Sequence, residues 1–203
     1  MSAHDVQKYR SVLLREVESS RSGGPLTGPV VCLGTRNGRE VDLFRTQWSG
    51  KWLWREAVRW LERRTHSFVS WIPLVESAYR SDVGALTEAS VVGVEVNPRG
   101  ARRDVWIGSF DKMPSEWDRT FGVIYSNAFD QTSTPERTAR EWKRVLRPGG
   151  FLIFCFTNDE EPTLNDPVGG LCLNDVQALF NGRLVYYSDR GSRNGYSEAI
   201  IQI

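Results

Sequence analysis

The sequence lacks a long hydrophobic run, a strong net charge and a set of metal ligands at characteristic spacing. No apolar run approaches the roughly 20 residues that a membrane span needs. The formal net charge is +1 over 203 residues, so no global basic field attracts nucleic acid. The three cysteines, Cys32, Cys155 and Cys172, have no zinc-type spacing. We therefore expect free thiols in a reducing, cytoplasmic compartment, with no bound metal.

Hydrophobic residues make up 40% of the chain and charged residues 25%, which is typical of one domain with a substantial core. Short apolar runs, largely interleaved with helices, predict an α/β fold with a doubly wound, mostly parallel seven-stranded sheet and helices on both faces. We expect the last two runs to form an antiparallel C-terminal strand pair. The runs are residues 30–34, 91–95, 104–107, 121–126, 151–156, 184–188 and 198–203.

Two helices are indicated by spacing and by end signals. Apolar residues recur at helical spacing over residues 5–20, which are otherwise polar and therefore do not resemble a signal peptide. With the Gly/Pro-rich stretch that follows, they form an N-terminal helix and linker over residues 1–29. A second helix is predicted over residues 135–147, with Thr134 as its cap and Pro135 in its first turn.

Residues 45–90 form a tryptophan-rich insert within the single domain of residues 1–203. A strand–helix–strand unit needs about 30 residues, and the distance from the first strand to the second is far longer. We expect a helix over residues 51–64. The insert can be a lid over the acceptor, a satellite core, or a surface for a second copy or a partner subunit, and the sequence leaves these open.

The most informative stretch is residues 30–40, where an apolar strand ends at Gly34 and Gly38 opens a helix. In α/β sheets, ligands bind at the carboxyl ends of such strands. A side chain at either glycine would keep a ligand off the backbone. A second apolar strand ends in Glu95, and a carboxylate there can accept hydrogen bonds from both hydroxyls of a ribose. Together the two features favour a nucleoside-containing cofactor.

Two common nucleotide sites do not fit this turn. A phosphate loop needs Gly-Lys-Ser/Thr, whereas Gly38 is followed by Arg39 and Glu40. A dinucleotide fingerprint needs a third glycine near the start of the helix, which is absent. A ligand with a nucleoside and a small zwitterionic tail fits better.

Five blocks, in order along the chain, resemble the class I S-adenosylmethionine-dependent methyltransferases of the broad small-molecule type. They lie at residues 32–40, 92–98, 108–114, 125–130 and 144–150. The resemblance implies S-adenosylmethionine as cofactor and methyl transfer to a small-molecule acceptor. It assigns the methionine end of the cofactor to Leu33, Gly34, Thr35 and Gly38, the ribose to Glu95, the adenine to Val96, Ser109 and Phe110, and the neighbourhood of the sulfonium to Asn127, Ala128 and Phe129.

Two residues depart from the family pattern. Arg36 stands where the middle glycine is usual, so the turn is shaped differently or Arg36 points outward. Ser109 stands where an acid often binds the adenine amine. When the acceptor must lose a proton, Asp130 is the candidate general base. The alternative for Asp130 is a structural role at the turn that follows it.

The nature of the acceptor stays open in the sequence. The block after the fourth strand lacks the pattern for methylating a base nitrogen. Residues 192–198 faintly resemble the end of RNA ribose methyltransferases, but Cys155 occupies the expected lysine position. Nucleic acid is therefore a possible but not a favoured partner. A catalytically silent partner subunit that binds S-adenosylmethionine is the other alternative.

Overall fold

A computed structural model of the chain describes residues 1–19, 28–36, 38–48, 82–158, 160–189 and 196–203. Within these residues, seven strands form one sheet in the order β3-β2-β1-β4-β5-β7-β6. The predicted fold class is confirmed. The strands are β1 (Val30–Leu33), β2 (Val91–Glu95), β3 (Val105–Ile107), β4 (Phe121–Ser126), β5 (Leu146–Thr157), β6 (Arg183–Asp189) and β7 (Tyr196–Gln202).

The order of the strands reverses at β1. This strand lies between β2 and β4, and the three run parallel. The chain adds β3 beside β2 and then crosses over β1 to build β4 and β5. Such a reversal opens a crevice at the carboxyl ends of the two central strands. The loops after β1 and β4 therefore border the crevice where a ligand is expected.

The predicted antiparallel pair at the C-terminus is also confirmed. Strand β7 is inserted between β5 and β6 and runs antiparallel to both. Leu184 pairs with Ile201, and the register shifts between Leu184 and Tyr186. The predicted loop between the two strands lies largely outside the described residues.

Helices cover both faces of the sheet, which explains why β1, β2 and β4 are buried along their whole lengths. On one face lie α1 (Ala3–Ser19) and α2 (Arg39–Trp48). On the other lie α3 (Pro135–Val145) and α4 (Leu173–Phe180). Among the described helices, none is both long and apolar enough to span a membrane.

Helix α3 begins at Pro135 as predicted but ends earlier, because β5 already starts at Leu146. Thr134 occupies the cap position, yet its side chain makes no capping hydrogen bond. Instead, the Thr138 hydroxyl donates to the Thr134 carbonyl at 3.0 Å. The position of the cap was therefore correct and its expected hydrogen bond was wrong.

Helix α4 was not predicted. It is short and lacks a conventional hydroxyl cap, because Cys172 stands at that position. The sequence signal for the start of this helix was the acid three residues after Cys172. Asp175 accepts a hydrogen bond from the Cys172 N–H at 2.9 Å. The tryptophan-rich insert and its helix over residues 51–64 lie largely outside the described residues, so both stay predictions.

Candidate functional site

The loop after β1 and the acid at the end of β2 meet directly. The Arg36 N–H donates to Glu95 Oε2 at 2.6 Å, and the Asn97 N–H donates to Oε1 at 2.9 Å. Glu95 is only 7% exposed. Parallel pairing of β1 with β2 brings the two strand ends together. The carboxylate is therefore fixed by both loops before any ligand arrives.

This carboxylate keeps unused hydrogen-bonding capacity. An ionised carboxylate offers about four lone-pair positions, and the two backbone N–H groups occupy part of them. A cavity of about 730 Å³ adjoins Glu95, within the size range of small-molecule sites. Glu95 can therefore present its remaining lone pairs to two hydroxyl groups of a ligand in this cavity. Polar and charged residues dominate the lining, which consists of Arg36, Glu95, Asn97, Arg99, Gly100, Gln131, Asn165 and Asp166.

The loop after β1 turns sharply through left-handed backbone conformations. Gly34 has φ +72°, Arg36 +51° and Gly38 +75°. The Gly34 and Thr35 N–H groups both donate to the Val94 carbonyl, at 2.9 and 3.3 Å. Arg36 is exposed, so the non-glycine residue at the middle position both adopts the turn and lies at the surface.

Protein groups occupy the space that a side chain on either glycine would need. A Cβ atom on Gly34 would lie 2.4 Å from the Ala128 Cβ, and one on Gly38 would lie 2.4 Å from Arg102 Nη1. These contacts, together with the positive φ angles, explain why glycine stands at both positions. Packing within the protein therefore requires both glycines, and the close approach of a ligand to their backbone stays a prediction.

Several residues that the resemblance assigned to the cofactor lie in the hydrophobic core. Leu33 and Phe129 are each 1% exposed and Ala128 is 2% exposed. The Phe129 ring contacts the rings of Trp142 and Phe154 at centroid distances of 5.1 and 5.3 Å. These side chains therefore pack inside the protein.

The remaining assigned residues lie at or near the surface. Val96 is 72% exposed beside Glu95, and Ser109 and Asn127 are exposed. The Phe110 ring lies about 4.0 Å from where a Cβ on Gly34 would stand. The tips of β1 and β4 and the segment after β3 therefore converge at Gly34.

Asp130 lies in a short turn after β4, Phe129–Gln131. Its Oδ1 atom is buried and has no hydrogen-bond partner among the described residues. Burial raises the pKa of Asp130, and the negative charges of Asp166 and Glu160 raise it further, against backbone hydrogen bonds that lower it. The Thr134 N–H, which a structural Asp130 could have served, instead donates to Thr132 Oγ1 at 3.1 Å.

Sequence reasoning missed the far wall of the cavity. Asn165 and Asp166 lie in the segment between β5 and α4, for which no site residue was predicted. The Val168 N–H donates to the Asp130 carbonyl at 3.1 Å and ties this segment to the turn after β4. The available signal was Asn-Asp-Pro at positions 165–167, a turn former in a long connection.

Comparisons with known proteins agree with this fold. Residues 78–154 match a family model described as a methyltransferase domain. Over its whole length the chain resembles the crystal structure of an S-adenosylmethionine-dependent methyltransferase from Aquifex aeolicus, with 99% of that chain covered, a TM-score of 0.55 and 15% identity. The protein has the class I methyltransferase fold. The fold that the family resemblance in the sequence implied is therefore confirmed.

Two further methyltransferases show how far the likeness reaches. The fold also matches 1,6-didemethyltoxoflavin-N1-methyltransferase of Burkholderia thailandensis, with a TM-score of 0.53, 11% identity and 97% of this chain and 77% of that chain covered. Malonyl-[acyl-carrier protein] O-methyltransferase 1 of Coxiella burnetii is 37% identical over 71 residues, which is 33% of this chain. The match spans 25% of the length of that curated relative.

Proposed function

We propose that the protein transfers a methyl group from S-adenosylmethionine to a small-molecule acceptor. The observation that carries this proposal is the junction of the loop after β1 with Glu95, where Arg36 N and Glu95 Oε2 lie 2.6 Å apart beside a cavity of about 730 Å³. The match to the methyltransferase-domain model and the fold of the solved methyltransferases support it.

In this proposal the cofactor lies across the tips of β1, β2 and β3. Glu95 accepts hydrogen bonds from the ribose hydroxyls, and the exposed Val96 packs beside the adenine. Ser109 and Phe110 border the other side of the ring. The methionine end follows the backbone of Leu33, Gly34, Thr35 and Gly38, and the sulfonium lies near the backbone of Asn127, Ala128 and Phe129.

The reaction asks mainly for alignment. A lone pair of the acceptor forms a bond to the methyl carbon while the carbon–sulfur bond breaks, and its electron pair neutralises the sulfonium. Holding two reactants in line can lower the barrier by about 7–11 kcal/mol. When the acceptor atom carries a proton, Asp130 accepts it, because its buried Oδ1 is unpartnered among the described residues and lies in the turn next to the cavity residue Gln131.

The alternatives receive less support from the described residues. Cys155, which stands at the lysine position of RNA ribose methyltransferases, has its thiol 3.6 Å from the Tyr9 hydroxyl. Tyr9 belongs to α1 and to the core beneath the α1–α2 face. A silent cofactor-binding partner subunit remains the second candidate, because exposed Arg36 and Ser109 depart from the family pattern.

The three cysteines are free, which supports our proposal of a reducing, cytoplasmic location. Assembly with a second copy or a partner through residues 45–90 stays a proposal that rests on the tryptophan content of that segment.

Two measurements test the proposed function in sequence. Calorimetry with S-adenosylhomocysteine should show saturable binding of one molecule per chain. Formation of S-adenosylhomocysteine from S-adenosylmethionine is then followed over a panel of carboxylic acids, amines, phenols and RNA. Turnover with a small molecule is the expected result. Binding without turnover on any acceptor favours the silent subunit, and absence of binding contradicts both.

A further inference from the structure

Arg102 connects the two elements that form the proposed cofactor site. It lies in the segment that joins β2 to β3, and its guanidinium reaches the start of α2. Nη1 and Nη2 donate to the two oxygens of Asp42 at 3.0 and 2.7 Å. Nη1 also donates to the Gly38 carbonyl at 3.4 Å. One side chain therefore holds both the end of the loop after β1 and the first turn of α2.

A buried acid fixes this guanidinium from the other side. Arg102 Nε and Nη2 donate to Asp104 at 3.0 and 3.1 Å, and Asp104 is 4% exposed. Arg45 of α2 also pairs with Asp104 and donates to the Val91 carbonyl at 3.2 Å. Burial acts to raise the pKa of Asp104, but hydrogen bonds from Arg45 and Arg102 hold it below its ordinary value. The carboxylate is thus kept charged between two arginines.

The segment between β2 and β3 closely approaches the loop after β1 at two points. Arg102 occupies the space where a Gly38 side chain would stand, with Nη1 2.4 Å from the position of a Cβ. Two residues earlier, a Cβ on Gly100 would lie 2.6 Å from the Arg36 carbonyl oxygen and 2.9 Å from Glu95 Cγ. The loop after β1 is therefore held from the segment after Glu95 as well as from Glu95 itself.

We propose that Arg102 is a positioning residue for the cofactor. It holds the loop after β1 in the position where the Arg36 N–H donates to Glu95. The inference rests on the proposed function, because the loop matters for activity only if it binds S-adenosylmethionine. An arginine suits this place, since its planar fork reaches a carbonyl and two carboxylates together, whereas a lysine carries a single ammonium.

The neighbouring arginine provides a matched control. Arg103 is exposed and donates through Nε to Asp82 at 2.9 Å. Like Arg102 it lies between β2 and β3 and pairs with an aspartate, but Asp82 lies outside the loop and α2. Replacing Arg103 removes the same charge from the same segment and leaves the contacts to Gly38 and Asp42 in place.

The first test compares S-adenosylhomocysteine affinity and thermal unfolding for Arg102→Ala, Arg102→Lys and Arg103→Ala. We expect Arg102→Ala to weaken binding about tenfold, the scale for losing charged hydrogen bonds, in protein that is still folded at the assay temperature. Arg102→Lys should recover little of the loss, and Arg103→Ala should bind as the wild type does. Equal affinities for the three variants, or full recovery with lysine, would overturn the proposal.

A second test separates this inference from the proposed function, since it needs no ligand. Hydrogen–deuterium exchange of the peptide that covers residues 33–44 should speed up in Arg102→Ala and stay unchanged in Arg103→Ala. Unchanged exchange in Arg102→Ala overturns the positioning role even if the wild type binds cofactor. Faster exchange with no binding to the wild type rejects the proposed function and leaves the loop contact standing.

The close contact at Gly38 offers an internal check. Gly38→Ala should weaken S-adenosylhomocysteine binding more in the wild type than in the Arg102→Ala background, because the clash is with Arg102. Independent, additive effects of the two changes would show that the side chain and the loop are not coupled, and would contradict the inference.

Discussion

The two halves of the crevice differ in how their carboxylates are satisfied. On the β2 side, Glu95 accepts two backbone N–H groups and Asp104 accepts two arginines. On the β4 side, Asp130 Oδ1 is buried without a partner among the described residues, with Asp166 adding negative charge to its surroundings. We call the β2 side the organised half, because both of its carboxylates have hydrogen-bond partners, whereas Asp130 Oδ1 on the β4 side has none among the described residues.

We propose that this difference separates cofactor binding from the chemical step. A buried polar atom without a hydrogen bond costs about 1–3 kcal/mol, so a fold tolerates it most readily where it serves a reaction. The organised half suits a cofactor that binds in the same way in every turnover. The half with the unsatisfied carboxyl suits an acceptor whose proton has to be taken, and the predictions below test this division of roles.

The largest effect is expected at Asp130. Asp130→Asn should lower kcat about 10²–10⁴-fold, the range for a positioned general base, while S-adenosylhomocysteine affinity changes less than about twofold. The conservative replacement keeps shape and removes the base. Asp118→Asn, at an exposed acid paired with Arg144, is the control and should leave both quantities unchanged. An equal loss of cofactor affinity would place Asp130 in the binding half instead.

The pH dependence of the same group has a definite sign. Because burial and Asp166 raise the pKa of Asp130, the carboxylate is protonated over a wider acidic range than an ordinary aspartate. The rate should therefore fall as pH decreases through this raised pKa, at higher pH than an ordinary aspartate would give. The ionised group also opposes folding at neutral pH, so Asp130→Asn should unfold at a slightly higher temperature.

Two glycines with the same backbone conformation sharpen the contrast in packing. Gly38 and Gly149 have φ +75° and +77°, but a Cβ would meet Arg102 at 2.4 Å at the first and only Gln202 at 3.9 Å at the second. Gly38→Ala should therefore destabilise by about 2–3 kcal/mol, and Gly149→Ala by about 1 kcal/mol, the cost of the left-handed conformation alone. Chemical denaturation measures both, and equal losses would mean that Arg102 moves aside freely.

Much of the organised half was predictable from the sequence. Apolar runs that end in glycine or acid identify buried parallel strands and their carboxyl ends, and Glu95 followed from that pattern. The reason for Gly38 was not predictable, because Arg102 is far from it along the chain and approaches only in the folded sheet. Leu33, Ala128 and Phe129 were placed by resemblance, and their side chains belong to the core.

The β4 side of the crevice was harder to predict, because long connections have no regular spacing of apolar residues. Asn165 and Asp166 line the cavity from a segment without a strand or helix, and α4 begins at a cysteine rather than at a hydroxyl cap. Asp130 was proposed as the base only because it follows a strand whose end was recognisable. Loops beyond the family blocks therefore need coordinates before their side chains can be assigned.

A smaller effect, on the pH dependence of stability, is expected at Asp104 in the organised half. Since Arg45 and Arg102 lower the pKa of Asp104, this group stabilises the fold above the ordinary aspartate range, and the contribution disappears as pH falls through the lowered pKa. Asp104→Asn should destabilise by about 1–2 kcal/mol at pH 7 and show a weaker loss of stability on acidification. Parallel pH–stability curves for variant and wild type would contradict this ion-pair account.

The smallest effect on stability is expected at Leu164, at the edge of the cavity on the β4 side. Leu164 is fully exposed one residue before Asn165, which lines the cavity. Leu164→Ala should change the free energy of unfolding by less than about 0.5 kcal/mol. If the segment contacts the acceptor, the KM of the acceptor found in the panel should rise while cofactor affinity holds. A change in cofactor affinity instead would show that the halves are not separate.

Calorimetric titration of S-adenosylhomocysteine into Glu95→Ala tests the central claim most directly. Glu116→Ala, at an exposed glutamate in the turn Ser115–Trp117, is the matched control. We expect Glu95→Ala to weaken binding by about 1–3 kcal/mol, the scale for a charged hydrogen-bond acceptor, with the fold intact and Glu116→Ala binding as the wild type does. Unchanged affinity in a folded Glu95→Ala variant would contradict a cofactor held between Glu95 and the loop after β1.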